Sequence, residues 1–572
     1  MDHSSSMTSS ALLIDGLIIV GYFVTITSIG LYMGRKEHSL EDYALGGRRI
    51  PWWAVMASII AAETSAATFI GAPAEGFTTR GITYVQLIIG LILGRLIVSY
   101  LFLRPYYEYR VYTVYDFLAI RFGPMSKNYV SALFLIMRTL ASGVRLYVPS
   151  LVLVLAWRLF VRGESVQFGT LDSWVPYAWA IVLLTLVTCI YTAIGGIKAV
   201  IWTDVIQATL MFSSALVAIG TILYHIGDGS IIAGFSALAH HVPEMTTRQG
   251  YFLTGWEKIT PDMSVWDTFR SILENKYTLP AAIIGATALN MATFGTDQDM
   301  VQRMLAAKDV KRSRRSLMTA AFLDIPIAAS FTFIGVLLIA FYAQNPELKP
   351  AKPNDVFGAY ILKAMPVVVR GFVLAGVFAT AMGSLSAALN ALATTVTNDW
   401  YMPYIARGRS QRHYVKAARF FTALVAAAMV GIAVAFAYAN VKSPGLTILP
   451  IALGIAGYIL GPMLGVFMIG MTTKRRGSDV GNIIAVSIGL IGIFVLSGRL
   501  FDFTSMLAQK CPAWLVQGLH LPWSQPEWLP KIEFTWYAMI GAVITFSMGL
   551  LFRTPDAVVV SAEKQRSSTS EI

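Results

Sequence analysis

Long apolar runs separated by short polar segments recur along the whole chain. A helix crossing the hydrocarbon core needs about 20 apolar residues, and on that measure about 13 spans are expected. They lie near residues 11–34, 51–78, 81–103, 129–160, 175–194, 199–226, 278–300, 317–344, 368–400, 417–438, 446–471, 479–499 and 535–552. The signal is hydropathy rather than amphipathic period, as expected for helices packed in lipid. Two spans are interrupted. The second carries AAETSAATFIGAPAEG (Ala61 to Gly76), and the seventh, five helices later, carries ALNMATFGTDQD (Ala288 to Asp299). Interrupted segments at matching places in two halves point to an inverted-repeat transporter. The expected halves are 51–227 and 278–472, a five-plus-five core. Residues 1–50 hold an extra helix and a loop, 228–277 form an extracellular loop, and 473–572 hold two further helices and a tail.

Composition supports a membrane chain. Of 572 residues, 56% are hydrophobic and 13% charged, with mean hydropathy +0.62. Soluble domains carry about a quarter charged residues, so this chain lacks the charge to cover a soluble surface. The net charge of +12 reflects basic residues gathered in alternate loops rather than a nucleic-acid partner. Those loops hold Arg35, Lys36, Arg48 and Arg49; Arg110, Arg121 and Lys127; Lys308, Lys311, Arg312, Arg314 and Arg315; Arg407, Arg409, Arg412 and Lys416; and Lys474, Arg475 and Arg476. The positive-inside rule then puts the N-terminus outside and the C-terminus in the cytoplasm. The long segments 228–277 and 501–534 fall outside, with short interfacial helices expected in them. The start, MDHSSSMTSS, lacks the basic region of a signal peptide, so the first run reads as a retained helix. Two cysteines, Cys189 and Cys511, make no disulfide or metal framework.

Polar groups inside the spans are the candidate chemistry. A break in a membrane helix is tolerated where its freed carbonyls meet protein, water or an ion. Glu63 adds a carboxylate there, at a cost of about 2.5–3.5 kcal/mol on insertion scales. Arg145, midway along the fourth span, suits a carboxylate because its planar fork binds both oxygens. Its partner is either Glu63 or an anionic substrate group. The ninth span sets Thr380, Ser384, Ser386, Asn390, Thr394, Thr395 and Thr397 among Ala and Leu. Small residues there serve tight helix packing, and the hydroxyls are also hard oxygen ligands of the kind small cations prefer. Gly195 and Gly196 permit a tight turn, with Asp204 soon after as a helix-start carboxylate or an ion-exit residue. Asp297 and Asp299 approach the cytoplasmic side. No P-loop, His cluster or nucleophile elbow is present, so an enzyme is not expected.

The segments EDYALGGRRIPWW, ETSAATFIGAPAEGF, VYTVYDFLAIRFG, GGIKAVIWTDVIQ, TDQDMVQR and SLSAALNALATTVTNDWY, in this order, resemble the sodium:solute symporter family from about residue 15 to 475. The resemblance implies an all-α polytopic membrane protein with the LeuT-type five-plus-five inverted repeat. It implies import of a small polar solute coupled to Na+ by alternating access, across a plasma membrane such as a bacterial inner membrane. By motif, sodium would meet the carbonyls of Ala61 and Thr64, the Thr380 carbonyl, Gly383 and the Ser384 hydroxyl. The family has two adjacent hydroxyl residues where this chain has Gly383–Ser384, so one ligand is missing. A second sodium position of some sialic acid transporters maps to Asp204, Gly383, Ser386 and Ala387, of which only Asp204 and Ser386 keep oxygens. Substrate positions map to Glu63, Ser65, Thr68, Gln86, Arg145, Asn290 and Phe294. Arg145 makes a carboxylate-bearing sugar such as a sialic acid the first expectation. A neutral sugar or an amino acid is the alternative within the class, and a passive solute channel the alternative outside it.

Overall fold

A computed structural model describes residues 9–35, 37, 39–79, 83–162, 173–241, 260, 262–275, 277–442, 448–501, 526 and 529–570. Among them, the chain is helical apart from turns and two isolated bridges, Ile50 with Ala307 and Arg476 with Arg553. Eight of the described helices are long and apolar enough to cross a membrane, and one bent pair adds a ninth. Leu13, Leu17, Trp179, Phe420 and many other apolar side chains are exposed along them, as lipid-facing positions must be in a protein whose solvent there is hydrocarbon.

Both expected interruptions are present. The second span is the helix Trp52–Glu63 followed by Ala66–Thr79, bent by 65°. Thr64 leaves the helix with extended angles, φ −79° and ψ 108°. In the seventh span, Ala286–Thr296 ends at Asp297, with φ −84° and ψ 119°. The two breaks therefore share one backbone conformation. The fifth and sixth spans run as Val175–Ile226, interrupted at Gly196 with φ 53° and ψ −152°. At 1.5 Å per residue, 52 residues would extend about 78 Å, far beyond one bilayer core. Gly196 is the turn, because that backbone is open only to glycine. A Cβ there would also sit 2.5 Å from the Tyr43 carbonyl oxygen.

Short helices occupy the segments between spans at Leu40–Leu45, Leu103–Glu108 and Asp116–Arg121. The helices Ile231–His241 and Val265–Leu273 lie within 228–277. Most of 501–534 is outside the described residues, as is Cys511. The polar tail is a helix, Asp556–Ser570, whose Arg566 meets Glu108 at 2.8 Å. Its charged sequence carried no hydropathy signal.

The chain divides into two compact units, residues 1–85, 138–251 and 298–452, and residues 86–137, 252–297 and 453–572. In the first, the helix Val369–Thr395 is buried almost throughout. Its start is held by Asp15 of the first helix. The Asp15 carboxylate accepts from the Val368 and Gly371 amides at 2.8 and 3.1 Å and pairs with Arg370 at 2.7 Å. A buried acid thus caps a helix N-terminus. In the second, Ile88–Leu101 packs on Ala286–Thr296 through Gly90 and Gly94. A Cβ at Gly94 would lie 2.7 Å from the Asn290 Cβ, the close approach small residues permit.

Candidate functional site

The site is built on the first break. The last helical bond of Trp52–Glu63 is donated by the Thr64 amide to the Ile60 carbonyl at 3.1 Å. The carbonyls beyond it, from Ala61 onward, fall in the final turn that a helix leaves unsatisfied. Ser65 starts the next helix by accepting from Thr68 and Phe69 through its carbonyl, both at 2.9 Å, and its hydroxyl lies 3.3 Å from that of Thr68. The second break is different. Its freed carbonyls, those of Gly295 and Thr296, accept from the hydroxyls of Tyr106 and Tyr115 at 2.5 and 3.4 Å. Tyrosines therefore satisfy one break, and the other presents the Ala61 carbonyl to the helix Val369–Thr395.

On that helix the expected ligands lie together. Thr380 and Ser384 donate their hydroxyl protons to the carbonyls of Val377 and Ala381, at 2.7 and 3.1 Å. A hydroxyl that has spent its proton this way offers only lone pairs outward, the polarity a cation needs. A Cβ on Gly383 would lie 3.2 Å from the Ala61 carbonyl oxygen, so the two helices touch at Gly383 and Ala61. Ser386 is buried and donates to the Gly383 carbonyl at 3.0 Å, and Ala387 is buried beside it.

A small, partly open cavity adjoins the break. Ser65, Ser142, Arg145 and Ser384 supply polar lining, with Leu146 and Leu385 among the apolar walls. Arg145 ends the helix Pro124–Arg145, and Leu146 interrupts the run before Tyr147–Arg162. Three expected residues, Ser65, Arg145 and Ser384, thus line one cavity. Ser142 was missed, although it stands one turn before Arg145 on the same face, the spacing that could have found it. Glu63 and Thr68 are half-buried at the break and do not line the cavity.

Asp204 is fully buried. Its Oδ2 accepts from the Ser58 hydroxyl at 2.6 Å and from Arg303 at 3.3 Å. Arg303 also holds Asp299 at 2.6 Å, and Asp299 pairs with Arg138. Asp299, expected near the cytoplasmic surface, is completely buried in this four-charge network. The sequence marked Asp204 and passed over Arg138 and Arg303, which bridge distant helices: Arg138 reaches Asp299, and Arg303 joins Asp299 of its own helix to Asp204 and Ser58.

Gln86, Asn290 and Phe294 belong to the second unit. Gln86 is buried, and Asn290 donates to the Ala286 carbonyl at 2.8 Å. Phe294 is fully buried with the Arg95 guanidinium 4.1 Å over its ring. Arg95 was also missed, although a lone arginine in LILGRLIV is a signal of function or pairing at membrane depth. Among the described residues, no cluster of three or more His, Cys, Asp or Glu could hold a metal.

A sodium/sialic acid symporter of Proteus mirabilis is 28% identical over 482 residues, covering 84% of this chain and 89% of its own length. One of Aliivibrio fischeri is 27% identical over 467 residues, covering 81% and 84%. The solved structure of a Na+-coupled sialic acid symporter, in a substrate-bound outward-open state with a novel Na+ site, matches with a TM-score of 0.72 at 25% identity. It covers 94% of this chain and 97% of that one. The fold is thus the LeuT-type fold of a sodium-coupled transporter. The profile of the sodium:solute symporter family matches residues 43–489, and the chain belongs to that family of integral membrane symporters.

Proposed function

We propose that this chain imports a carboxylate-bearing sugar, such as a sialic acid or sugar acid, coupled to inward sodium movement. The carrying observation is Arg145 in the cavity wall, with hydroxyls of Ser65, Ser142 and Ser384 around the same space. A guanidinium grips a carboxylate at two points, and hydroxyls serve the sugar's own hydroxyls. The likeness to sodium/sialic acid symporters supports the same substrate class.

Sodium would sit at the crossing of the first break and the helix Val369–Thr395, on the carbonyls of Ala61, Thr64 and Thr380 and the Ser384 hydroxyl. There it ties the two helices and favours the state that binds solute. Coupling requires each ligand to prefer one conformational state, and the help is reciprocal. The membrane potential supplies about 2.3 kcal/mol per charge per 100 mV. Within the first unit, Glu63 and Thr68 would extend the solute path, and Asp204 with Ser386 would form the inward exit of the ion; Gln86, Asn290 and Phe294 are the second unit's own candidate solute contacts. The N-terminus lies outside and the C-terminus inside a bacterial inner membrane, with the repeat halves at 51–227 and 278–472.

The test is uptake of labelled sialic acid, a sugar acid, glucose and an amino acid by a transport-deficient host, with and without sodium. Arg145→Ala should lower apparent affinity for the acidic sugar about 30-fold, the loss of about 2 kcal/mol of charge-assisted bonding. Sodium-independent uptake would sink the symport reading, and indifference of acidic-sugar uptake to Arg145→Ala would sink the carboxylate assignment.

A further inference from the structure

The sodium:solute motif leaves a gap at Gly383, where the family's hydroxyl is absent. The structure places another oxygen there. Gln207, on the helix Val175–Ile226, is 1% exposed. Its Oε1 lies 2.9 Å from where a Gly383 Cβ would stand, beside the Ala61 carbonyl oxygen at 3.2 Å from the same point. That Oε1 is buried with no hydrogen-bond partner. The amide is oriented by its other end, which donates to the Tyr22 hydroxyl at 3.3 Å. A buried amide oxygen without a donor is costly, and it persists where something else satisfies it. Asp204 stands three residues earlier on the same helix face. Its Oδ1 is also buried without a hydrogen-bond partner.

We infer that Gln207 Oε1 is a cation ligand, supplying from a third helix the oxygen that Gly383 does not carry. The absence of a side chain at Gly383 is then a requirement of the site. Glycine clears the space into which the longer amide reaches, and the ion would join three helices where the family motif joins two. Amide carbonyl oxygens are ordinary ligands for hard cations. The competing arrangement is an amide turned over, with its N–H donating to the Ala61 carbonyl and holding the helices together without an ion.

This inference rests on the sodium reading above, and sodium titration of the full-length protein separates the two. The readouts are the half-saturating sodium concentration for uptake and the sodium-dependent rise in melting temperature of purified protein. Gln207→Met keeps the length and removes the oxygen. It should raise half-saturating sodium by at least the ~10-fold seen when even a supporting group is lost from a metal site. Gln207→Glu keeps an oxygen but cannot donate, and should match or exceed the wild type in sodium affinity. Gly383→Ser added to Gln207→Met should restore affinity by returning the hydroxyl. Sodium affinity unchanged in Gln207→Met, or Gln207→Glu as weak as Gln207→Met, overturns the ligand role and leaves sodium symport intact. Wild-type protein that neither transports with sodium nor is stabilised by it overturns both. Should Gln207→Met fail to accumulate, Gln207→Asn, which withdraws the oxygen by one methylene, must show the same loss or the inference falls.

Discussion

Arg303 shows how much a single residue can carry in a chain with so few charges. It is 1% exposed, donates to Ser58 and Asp204, and holds Asp299, which also binds Arg138. Removing one partner of such a buried set leaves an uncompensated charge and costs about 3–5 kcal/mol. Arg303→Ala should therefore lower the melting temperature of purified protein sharply. Adding Asp299→Asn should recover part of the loss, and an equal or deeper loss in the double variant would contradict the charge-balance account. A second case lies in the loop after the first helix. Burial pushes the Glu37 carboxyl up to about 6, against the pull of Lys198 at 3.3 Å. The folded state therefore holds this proton more tightly than the unfolded one. The resulting stabilisation is complete below the unfolded value of about 4.5 and is lost as pH rises through about 6, roughly 2 kcal/mol in all. Melting curves between pH 4.5 and 7 should show this decline in the wild type and its absence in Glu37→Gln. Arg145, Glu63 and Asp204 were visible in the sequence because each is a charge in an apolar run. Arg303, Arg138 and Gln207 were not, because their meaning depends on what faces them.

At the scale of elements, the breaks are the informative features. Thr64 and Asp297 leave their helices with nearly the same extended angles, so the positional echo in the sequence has a backbone counterpart. The environments then diverge. Tyr106 and Tyr115 satisfy the second break, and the first faces Gly383. The turn at Gly196 is a third element read from sequence, and it carries a clear expectation. Gly196→Ala must hold a glycine-only conformation with a Cβ against Tyr43, at a cost of about 1–3 kcal/mol for the backbone alone. Thermal melting should reveal it, whereas Gly220→Ala, where a Cβ meets nothing within 4 Å, should be neutral. The C-terminal helix Asp556–Ser570 escaped notice because its polar, charged sequence carries no hydropathy signal.

For the whole molecule, orientation is the property on which the direction of transport depends. In a background of Cys189→Ser and Cys511→Ser, a membrane-impermeant thiol reagent applied to whole cells should label Ser6→Cys and spare Ser568→Cys until the cells are opened. The reverse pattern would invert the proposed topology. The sequence by itself determined that the chain crosses a membrane repeatedly, where two of its helices break, and which family it joins. Those follow from local costs, since lipid penalises each exposed polar group and each unpaired backbone segment wherever it stands. The tertiary structure decided the pairings. Arg145 reaches the cavity with Ser65 and Ser384, Arg95 covers Phe294, and Arg303 joins Asp204 of a distant helix to Asp299 of its own. Gln207 meets the space at Gly383 because helices pressed together by small residues choose their own neighbours. No local rule along the chain encodes which side chain will face a missing one.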